Sequence, residues 1–384
     1  MSEAAVLPAT PPVARVLICD DSAVIRAAIA RALEADPAIA VVARAADGRQ
    51  AVDALRRTGA DVVVLDIEMP VLDGLAALPL LLGVDPTVRI VMASTLTTRG
   101  ADIALRALRL GAADYIPKPS ATDALGEPTF RQELLAKVKG LARLRRVQLT
   151  EARRAAAPPA VAGPPAAPAA PPASFAGRPR APLVLRPAPA LPARLLAIGS
   201  STGGPQALLA LIQGLGRSLP VPVVITQHMP PAFTAMLATH ITALGGLPCA
   251  EATDGEALRP GRILIAPGNR HLLIEPGPGG PHARLSDGPA VNYCRPAVDP
   301  MLASAARACD GRVLVAMLTG MGHDGLAGTR AVIEAGGAAV AQDEASSVVW
   351  GMPGAIAEAG LCHAVLPLPR LAPCLRDLLR VPRA

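Results

Sequence analysis

Aromatic residues are nearly missing from this chain: three Phe, two Tyr and one Trp among 384 residues. Half of the residues are nonetheless hydrophobic, so any core has to be built from Ala, Val, Leu and Ile. The shortage of aromatics argues against a nucleic-acid partner, because no basic patch comes with rings on which bases could stack. The formal charge of +6 does not change this, since the surplus arginine is scattered or gathered at Arg143, Arg145, Arg146, Arg153 and Arg154, as at a solvated helix end. Cysteine is also scarce. Cys19, Cys249, Cys294, Cys309, Cys362 and Cys374 contain no C-x-x-C pair, which indicates neither a zinc site nor a disulfide framework. They read as small buried hydrophobes. No uncharged apolar run reaches the ~18 residues of a membrane span, so membrane insertion is not expected. Residues 1–12 have neither the basic start nor the apolar centre of a secretion signal, and the expected location is cytoplasmic.

Proline, by contrast, is abundant and concentrated. Residues 155–192 are dominated by Ala and Pro and include Pro158-Pro159, Pro164-Pro165 and Pro171-Pro172. Such density removes helix and ladder hydrogen bonds and predicts an extended linker. The predicted division is a disordered N-terminus over 1–13, one domain over 14–146, a Pro/Ala-rich linker over 147–192 and a second domain over 193–384. Before the linker, β-rich runs at 15–19, 39–43, 61–65, 89–93 and 114–116 alternate with helical patterns. After it, strands are expected at 194–199, 221–227, 262–266, 313–318 and 338–342. The alternation predicts an α/β protein with two doubly wound parallel sheets.

In such a sheet the carboxyl ends of the strands form the ligand crevice. Asp20 and Asp21 end the first predicted strand and Asp66 the third. Three carboxylates meeting there call for a hard cation, and Mg²⁺ suits oxygen ligands. With the charge screened, one carboxylate can attack a phosphoryl group. Ser94 ends the fourth strand and can donate a hydroxyl to the phosphoryl oxygens, and Lys118 can supply positive charge. Taken singly, the aspartates read equally as helix caps and the lysine as a surface charge.

In the second half, the run Ile198-Gly199-Ser200-Ser201-Thr202-Gly203-Gly204-Pro205 ends a strand in a glycine turn and opens a helix. Amides at a helix N-terminus are placed to hold an oxyanion. His228 follows the next strand and Asp324 follows the strand at 313–318. A serine nucleophile needs a base, and the base needs an orienting carboxylate. Ser201, His228 and Asp324 can fill those roles, although each alone also reads as a cap or a surface residue. The glycine turn lacks the G-K-[S/T] ending of a P-loop and the spacing of G-x-G-x-x-G.

The motifs together resemble known families. Cys19-Asp20-Asp21-Ser22, Leu65-Asp66-Ile67-Glu68-Met69-Pro70, Asp73-Gly74, Met92-Ala93-Ser94 and Lys118-Pro119 run in the order of a response-regulator receiver domain. That resemblance implies a flavodoxin-like fold with Asp66 as phospho-acceptor. It also implies Mg²⁺ held by Asp20, Asp21, Asp66 and the backbone carbonyl of Glu68, Ser94 as switch hydroxyl, and Tyr115 as a rotating aromatic. The serine, histidine and aspartate segments resemble the chemotaxis protein-glutamate methylesterases. So do Ala266-Pro267-Gly268-Asn269-Arg270-His271, Val291-Asn292, Arg295-Pro296 and Val348-Val349-Trp350-Gly351-Met352-Pro353. This second resemblance implies a Rossmann-like three-layer esterase that needs no cofactor and removes glutamate γ-methyl esters from chemoreceptors. Glutamine deamidation by the same site is implied as well, and the phosphodonor would be the chemotaxis histidine kinase. Ser201, His228 and Asp324 would be the triad, Thr202 and Met321 oxyanion support, and Arg295 a substrate contact or a structural ion-pair partner. Ser200 would be a decoy, and His271 and His323 wall or surface residues. The rival readings are a phospho-switch that only binds, a nucleotide-phosphate loop, and a transcriptional regulator lacking its recognition helix.

Overall fold

The computed structural model describes residues 13–95, 97–118, 128–156, 183–245 and 247–379. The expected disordered N-terminus, save Val13, and the middle of the expected linker, 157–182, lie outside the described residues.

The N-terminal half alternates strand and helix throughout: β1 (Ala14–Cys19), α1 (Ala23–Glu34), β2 (Ile39–Ala45), α2 (Gly48–Thr58), β3 (Val62–Asp66), α3 (Gly74–Val84), β4 (Arg89–Ser94), α4 (Thr98–Arg109), β5 (Asp114–Pro117) and α5 (Pro128–Ala156). The strands are near-continuous apolar runs because helices cover both faces of the sheet. All five residues of β3, Val62–Asp66, are buried. Ser22, Asp47, Asp73 and Thr97 each accept the amide three residues on, so these short polar side chains start α1 to α4. The sheet order β2-β1-β3-β4-β5 is parallel, with its switch point between β1 and β3.

The C-terminal half contributes β6 (Leu195–Ser200), α6 (Gly204–Leu215), β7 (Val223–Gln227), α7 (Pro231–Gly245), β8 (Cys249–Glu251), β9 (Ile263–Ile265), β10 (His271–Glu275), β11 (His282–Ser286) and α8 (Val298–Ala308). It ends with β12 (Val313–Met317), α9 (Leu326–Glu334), β13 (Ala338–Gln342), α10 (Met352–Glu358), β14 (Ala364–Leu366) and α11 (Leu368–Leu379). Seven strands form a parallel sheet in the order β14-β13-β12-β6-β7-β9-β8, and β10 and β11 pair as a separate antiparallel hairpin. One face packs on α6, α7 and α11 through Leu208, Phe233 and Leu371. The other packs on α8, α9 and α10 through Met301, Val332 and Ile356. This is a three-layer α/β domain.

Two boundaries differ from the sequence expectation. Helix α5 continues to Ala156, ten residues into the stretch expected as linker from 147. Residues 147–156 contain neither Gly nor Pro, so nothing stops the helix before the prolines begin. At the other end of the linker, residues 183–192 lie along the C-terminal domain, where Arg186 N donates to Cys362 O (2.8 Å) and Arg312 Nε to Pro192 O (2.9 Å).

The two domains share an interface made by α4, β5 and α5 of the first. Tyr115 stacks on Phe233 with ring centroids 4.6 Å apart, an offset contact worth about 1 kcal/mol. Gln206 Nε2 donates to Leu108 O (2.6 Å) and Ala112 O (2.5 Å). Arg143 Nη1 donates to Glu344 O (2.8 Å) and Nη2 to Ser347 O (2.5 Å). Gly140 lets α5 approach closely, since a Cβ there would collide with the Val348 carbonyl. Asp114 Oδ2 accepts from Lys137 Nζ of its own domain at 2.7 Å and, across the interface, from Gly203 N at 2.9 Å, both bonds being buried.

Candidate active site and phosphoryl pocket

Strands β12, β6 and β7 are neighbours, and the chain leaves β6 toward β7 on one side and returns to β12 on the other. This is the switch point at which a doubly wound sheet opens a crevice. Ser201 stands at the end of β6, His228 at the end of β7, and Asp324 on the loop beyond β12.

Asp324 is buried and almost fully engaged. Its Oδ2 accepts from His228 Nε2 at 2.8 Å and from Val298 N at 2.6 Å. Its Oδ1 accepts from Asn292 Nδ2 (3.0 Å), Asp299 N (3.1 Å) and Gly325 N (3.0 Å). It therefore does cap a helix, but that helix is α8 rather than the one following it. Burial works to raise its pKa, yet the His228 bond and charge with the Val298 and Asn292 donors hold it below the usual carboxylate value. A carboxylate only accepts, so His228 Nε2 carries the hydrogen and Nδ1 is left as the basic nitrogen. For His228, burial works to lower the pKa, but the Asp324 bond and the Cys294 contact outweigh it and raise it to about 9.

Nδ1 of His228 faces Cys294 Sγ at 3.4 Å. Ser201 Oγ makes no hydrogen bond to His228 among the described residues, so the serine sits beside the histidine–aspartate pair without being joined to it. The serine's backbone is fixed from three sides. Ser201 N donates to Thr319 O (3.0 Å), and Ser201 O accepts from Gly204 N (2.7 Å) and from Gln227 Nε2 (3.0 Å). Gly203 has φ 74°, and a Cβ on it would strike the Val348 side chain, so the turn needs glycine.

The amides of Thr202 and Met321 donate to no group among the described residues. Ser200 is fully buried and donates to Gln227 Oε1 at 2.6 Å. Its hydroxyl is a strut between β6 and β7. His271 is buried, with Nε2 against Pro289 O (3.0 Å) and Nδ1 accepting from Ala297 N (3.2 Å). His323 is exposed. Arg295 donates to Asn269 Oδ1 through Nε (3.1 Å) and Nη2 (2.8 Å), and to Asp287 O (3.2 Å) and Gly288 O (3.1 Å) through Nη1. Its guanidinium braces two loops through neutral acceptors and makes no ion pair among the described residues.

In the N-terminal domain, Asp20, Asp21 and Asp66 offer carboxylate oxygens that all lie within 4.8 Å of one another. Lys118 Nζ reaches Asp66 Oδ2 at 2.6 Å and Asp20 Oδ2 at 2.9 Å. Burial raises the Asp66 pKa to about 6 against the opposing pull of Lys118, with Asp20 adding to the rise. A cavity of about 300 Å³, lined by Asp21, Asp66, Glu68, Ser94 and Lys118 among others, leaves room beside Asp66 for a phosphoryl group. An all-oxygen set with one exposed and two buried carboxylates fits a divalent cation that keeps several waters. Ser94 is buried, with Oγ donating to Thr95 O at 3.1 Å. Tyr115 is buried in the domain interface against Phe233.

Sequence reasoning missed Cys294, Asn292, Gln227 and Asp114. Asn292 lay inside a quoted motif, but only the fold places it on the Asp324 carboxylate. Cys294 read as an inert hydrophobe, and nothing in its spacing points to His228.

The comparison with known proteins decides the family. A profile described as CheB methylesterase matches residues 196–375, and one described as response regulator receiver domain matches residues 16–128. The chain is 54% identical over 370 residues to a Rhodospirillum centenum protein named protein-glutamate methylesterase/protein-glutamine glutaminase of group 2 operon, covering 95% of this chain and 93% of that one. The chain belongs to the CheB methylesterase family. An Azospirillum brasilense member of the family, named protein-glutamate methylesterase/protein-glutamine glutaminase, is 52% identical over 94% of this chain and 92% of its own length. The crystal structure of the Thermotoga maritima CheB methylesterase catalytic domain matches 49% of this chain and 100% of its own, with 39% identity and a TM-score of 0.48. Among the described residues, no helix is long and apolar enough to cross a membrane.

Proposed function

We propose that the chain is a phosphorylation-regulated serine hydrolase that removes glutamate γ-methyl esters from chemoreceptors and deamidates receptor glutamines at the same site. The observation that carries this reading is the 2.8 Å bond between His228 and Asp324 at the strand ends beside Ser201. It leaves a single nitrogen, Nδ1, to serve as the base.

Ser201 Oγ attacks the ester carbonyl while His228 Nδ1 takes its proton, displacing Cys294 from that nitrogen. The carbonyl oxygen becomes an oxyanion, held by the free Thr202 and Met321 amides. Collapse breaks the C–O bond to methoxide, which leaves as methanol with the proton from His228. Water then adds to the acyl-serine, giving its proton to His228, and glutamate departs as the proton returns to Ser201. Asp324 stabilises the imidazolium throughout. With an amide substrate the departing molecule is ammonia.

The phosphoryl acceptor in this reading is Asp66, with a chemotaxis histidine kinase as donor. Asp20, Asp21, Asp66 and the Glu68 carbonyl would hold Mg²⁺, which supplies positive charge for the phosphoryl oxygens when bound. Lys118 and Ser94 face the same cavity.

The receiver restrains the esterase through the interface. Asp114 occupies the Gly203 amide, one residue from the Thr202 donor, and so places a carboxylate where the oxyanion needs positive potential. The Asp324 bond and the Cys294 contact raise the His228 pKa to about 9, so below that pH only the neutral fraction of the imidazole can take the Ser201 proton, whether or not the receiver is docked. Phosphorylation at Asp66 would loosen the docked face.

The test is methanol release from methylated receptor membranes by wild type and Ser201→Ala, with and without a small phosphodonor. Release by wild type alone, raised by the donor, is expected. Equal release by the serine variant would remove Ser201 from the mechanism. Release indifferent to the donor would discard the regulatory half.

A further inference from the structure

Beside the catalytic histidine the chain makes a tight two-residue turn. Val291 N donates to Cys294 O at 3.1 Å and Cys294 N to Val291 O at 2.9 Å, closing the turn on itself. Both central residues are left-handed, Asn292 at φ 51° and Tyr293 at φ 62°. Turns of this hand favour Asn-Gly, so the asparagine suits its place and the tyrosine stands where glycine belongs. A non-glycine residue in this region costs about 1–2 kcal/mol.

No contact of the Tyr293 side chain among the described residues offsets that cost. Tyr293 is fully exposed, at 104% of its reference area, whereas the chain's other tyrosine, Tyr115, is buried. Meanwhile both flanking side chains are bolted to the catalytic cluster. Asn292 Nδ2 donates to Asp324 Oδ1 (3.0 Å) and Asp299 Oδ2 (2.9 Å), and Cys294 Sγ meets His228 Nδ1 (3.4 Å). The turn therefore anchors the backbone beneath one exposed aromatic ring next to the reacting groups. Strain kept at such a place, without an internal contact to explain it, points to a ligand contact.

We propose that Tyr293 is a specificity-determining contact that packs on the protein segment carrying the ester, outside the reacting atoms. The proposal rests on the esterase reading above. A glutamate ester within a protein segment is flanked by neighbouring side chains whose aliphatic parts a rigid ring can cover at small entropic cost. A free amino-acid ester offers no such surface. The residue should therefore separate protein substrates from minimal ones.

The experiment uses the full chain and two substrates, methylated receptor membranes and N-acetylglutamate γ-methyl ester, each read as methanol release. Tyr293→Ala should raise KM for the receptor about tenfold with kcat unchanged, and leave the minimal ester's kcat/KM unchanged. Tyr293→Phe should keep the receptor KM. Tyr293→Gly removes the left-handed strain and should melt no lower than wild type, yet lose receptor affinity as the alanine variant does. An unchanged receptor KM in the alanine variant would overturn the proposal. So would an equal loss on both substrates, because the turn would then only brace His228. Equal methanol release by wild type and Ser201→Ala would instead strike the esterase reading itself, whatever Tyr293 does.

Discussion

The two sites of this chain occupy the same topological position in two parallel sheets, but they balance charge in opposite ways. In the receiver, Asp20 and Asp66 share one cation, the Lys118 ammonium, and a third carboxylate, Asp21, is exposed beside them. Anionic charge is left over, and the cavity next to it is open. In the esterase, the single carboxylate of Asp324 is surrounded by fixed donors: His228, Asn292 and the amides of Val298, Asp299 and Gly325. Two of those amides belong to the start of α8, so the helix dipole adds to the stabilisation. The receiver pocket is built to be completed by something that arrives, and the esterase cluster is built to keep one proton in order. The same fold edge serves a switch in one domain and an acid–base relay in the other because the donors around the carboxylates differ.

The comparison breaks most severely at Asp324. Asp324→Asn keeps the shape but lets the side chain offer a hydrogen to Nε2, which favours the wrong imidazole tautomer. The expected loss in kcat is on the order of 10³–10⁴. The pH profile sharpens the test. In wild type, His228 titrates at about 9, so kcat/KM should climb with pH until that value and then level. Loss of the carboxylate removes the first-named cause of the rise and leaves the Cys294 contact opposed by burial, which favours neutral imidazole. The acid limb of the variant should therefore move to lower pH. A limb that stays in place would mean that Asp324 does not set the base's titration.

A smaller effect is expected at Asp66. Asp66→Asn should abolish the donor-dependent increase in methanol release, because an amide cannot accept the phosphoryl group. Retention of the increase would assign the acceptor elsewhere.

Much of this contrast could be read before the fold was known. All ten expected strands correspond to observed ones, since strands covered on both faces are continuous apolar runs that stand out from their flanks. The residues just beyond them, Asp20, Asp66, Ser201 and His228, follow from the rule that crevices form at carboxyl strand ends. Strands β8 and β14 were not foreseen, each being three residues long and half-buried, and neither was the β10–β11 hairpin, which lies among Pro and Gly. The continuation of α5 past 146 was legible in principle from the absence of breakers, but the alanines beyond it resemble the linker. The contacts that dock the domains were not legible. Asp114 sits in an ordinary strand and reads as a strand-edge residue, and only the tertiary structure brings it 89 positions along the chain to Gly203. Cys294 is hidden for the same reason, because contact with His228 depends on how a loop folds over β7.

The smallest expected effect lies at that docking contact, where the two sites meet. Asp114→Asn removes the negative charge from the Gly203 amide while keeping a possible hydrogen-bond acceptor. A hydrogen bond to a charged group contributes about 1.5–3 kcal/mol, and a neutral one roughly 1, so the difference corresponds to a basal rate raised by about two- to thirtyfold. Lys137 remains paired with Glu133 at 3.2 Å, which limits the damage to the receiver core. Arg143→Ala, which cuts the bonds to Glu344 O and Ser347 O at the far side of the same face, should raise the basal rate less, because it loosens docking without touching the oxyanion environment. Methanol release without any phosphodonor measures both. If the arginine variant rises as much as the aspartate variant, the receiver acts by coverage alone. If only the aspartate variant rises, the restraint is electrostatic and Asp114 is its source.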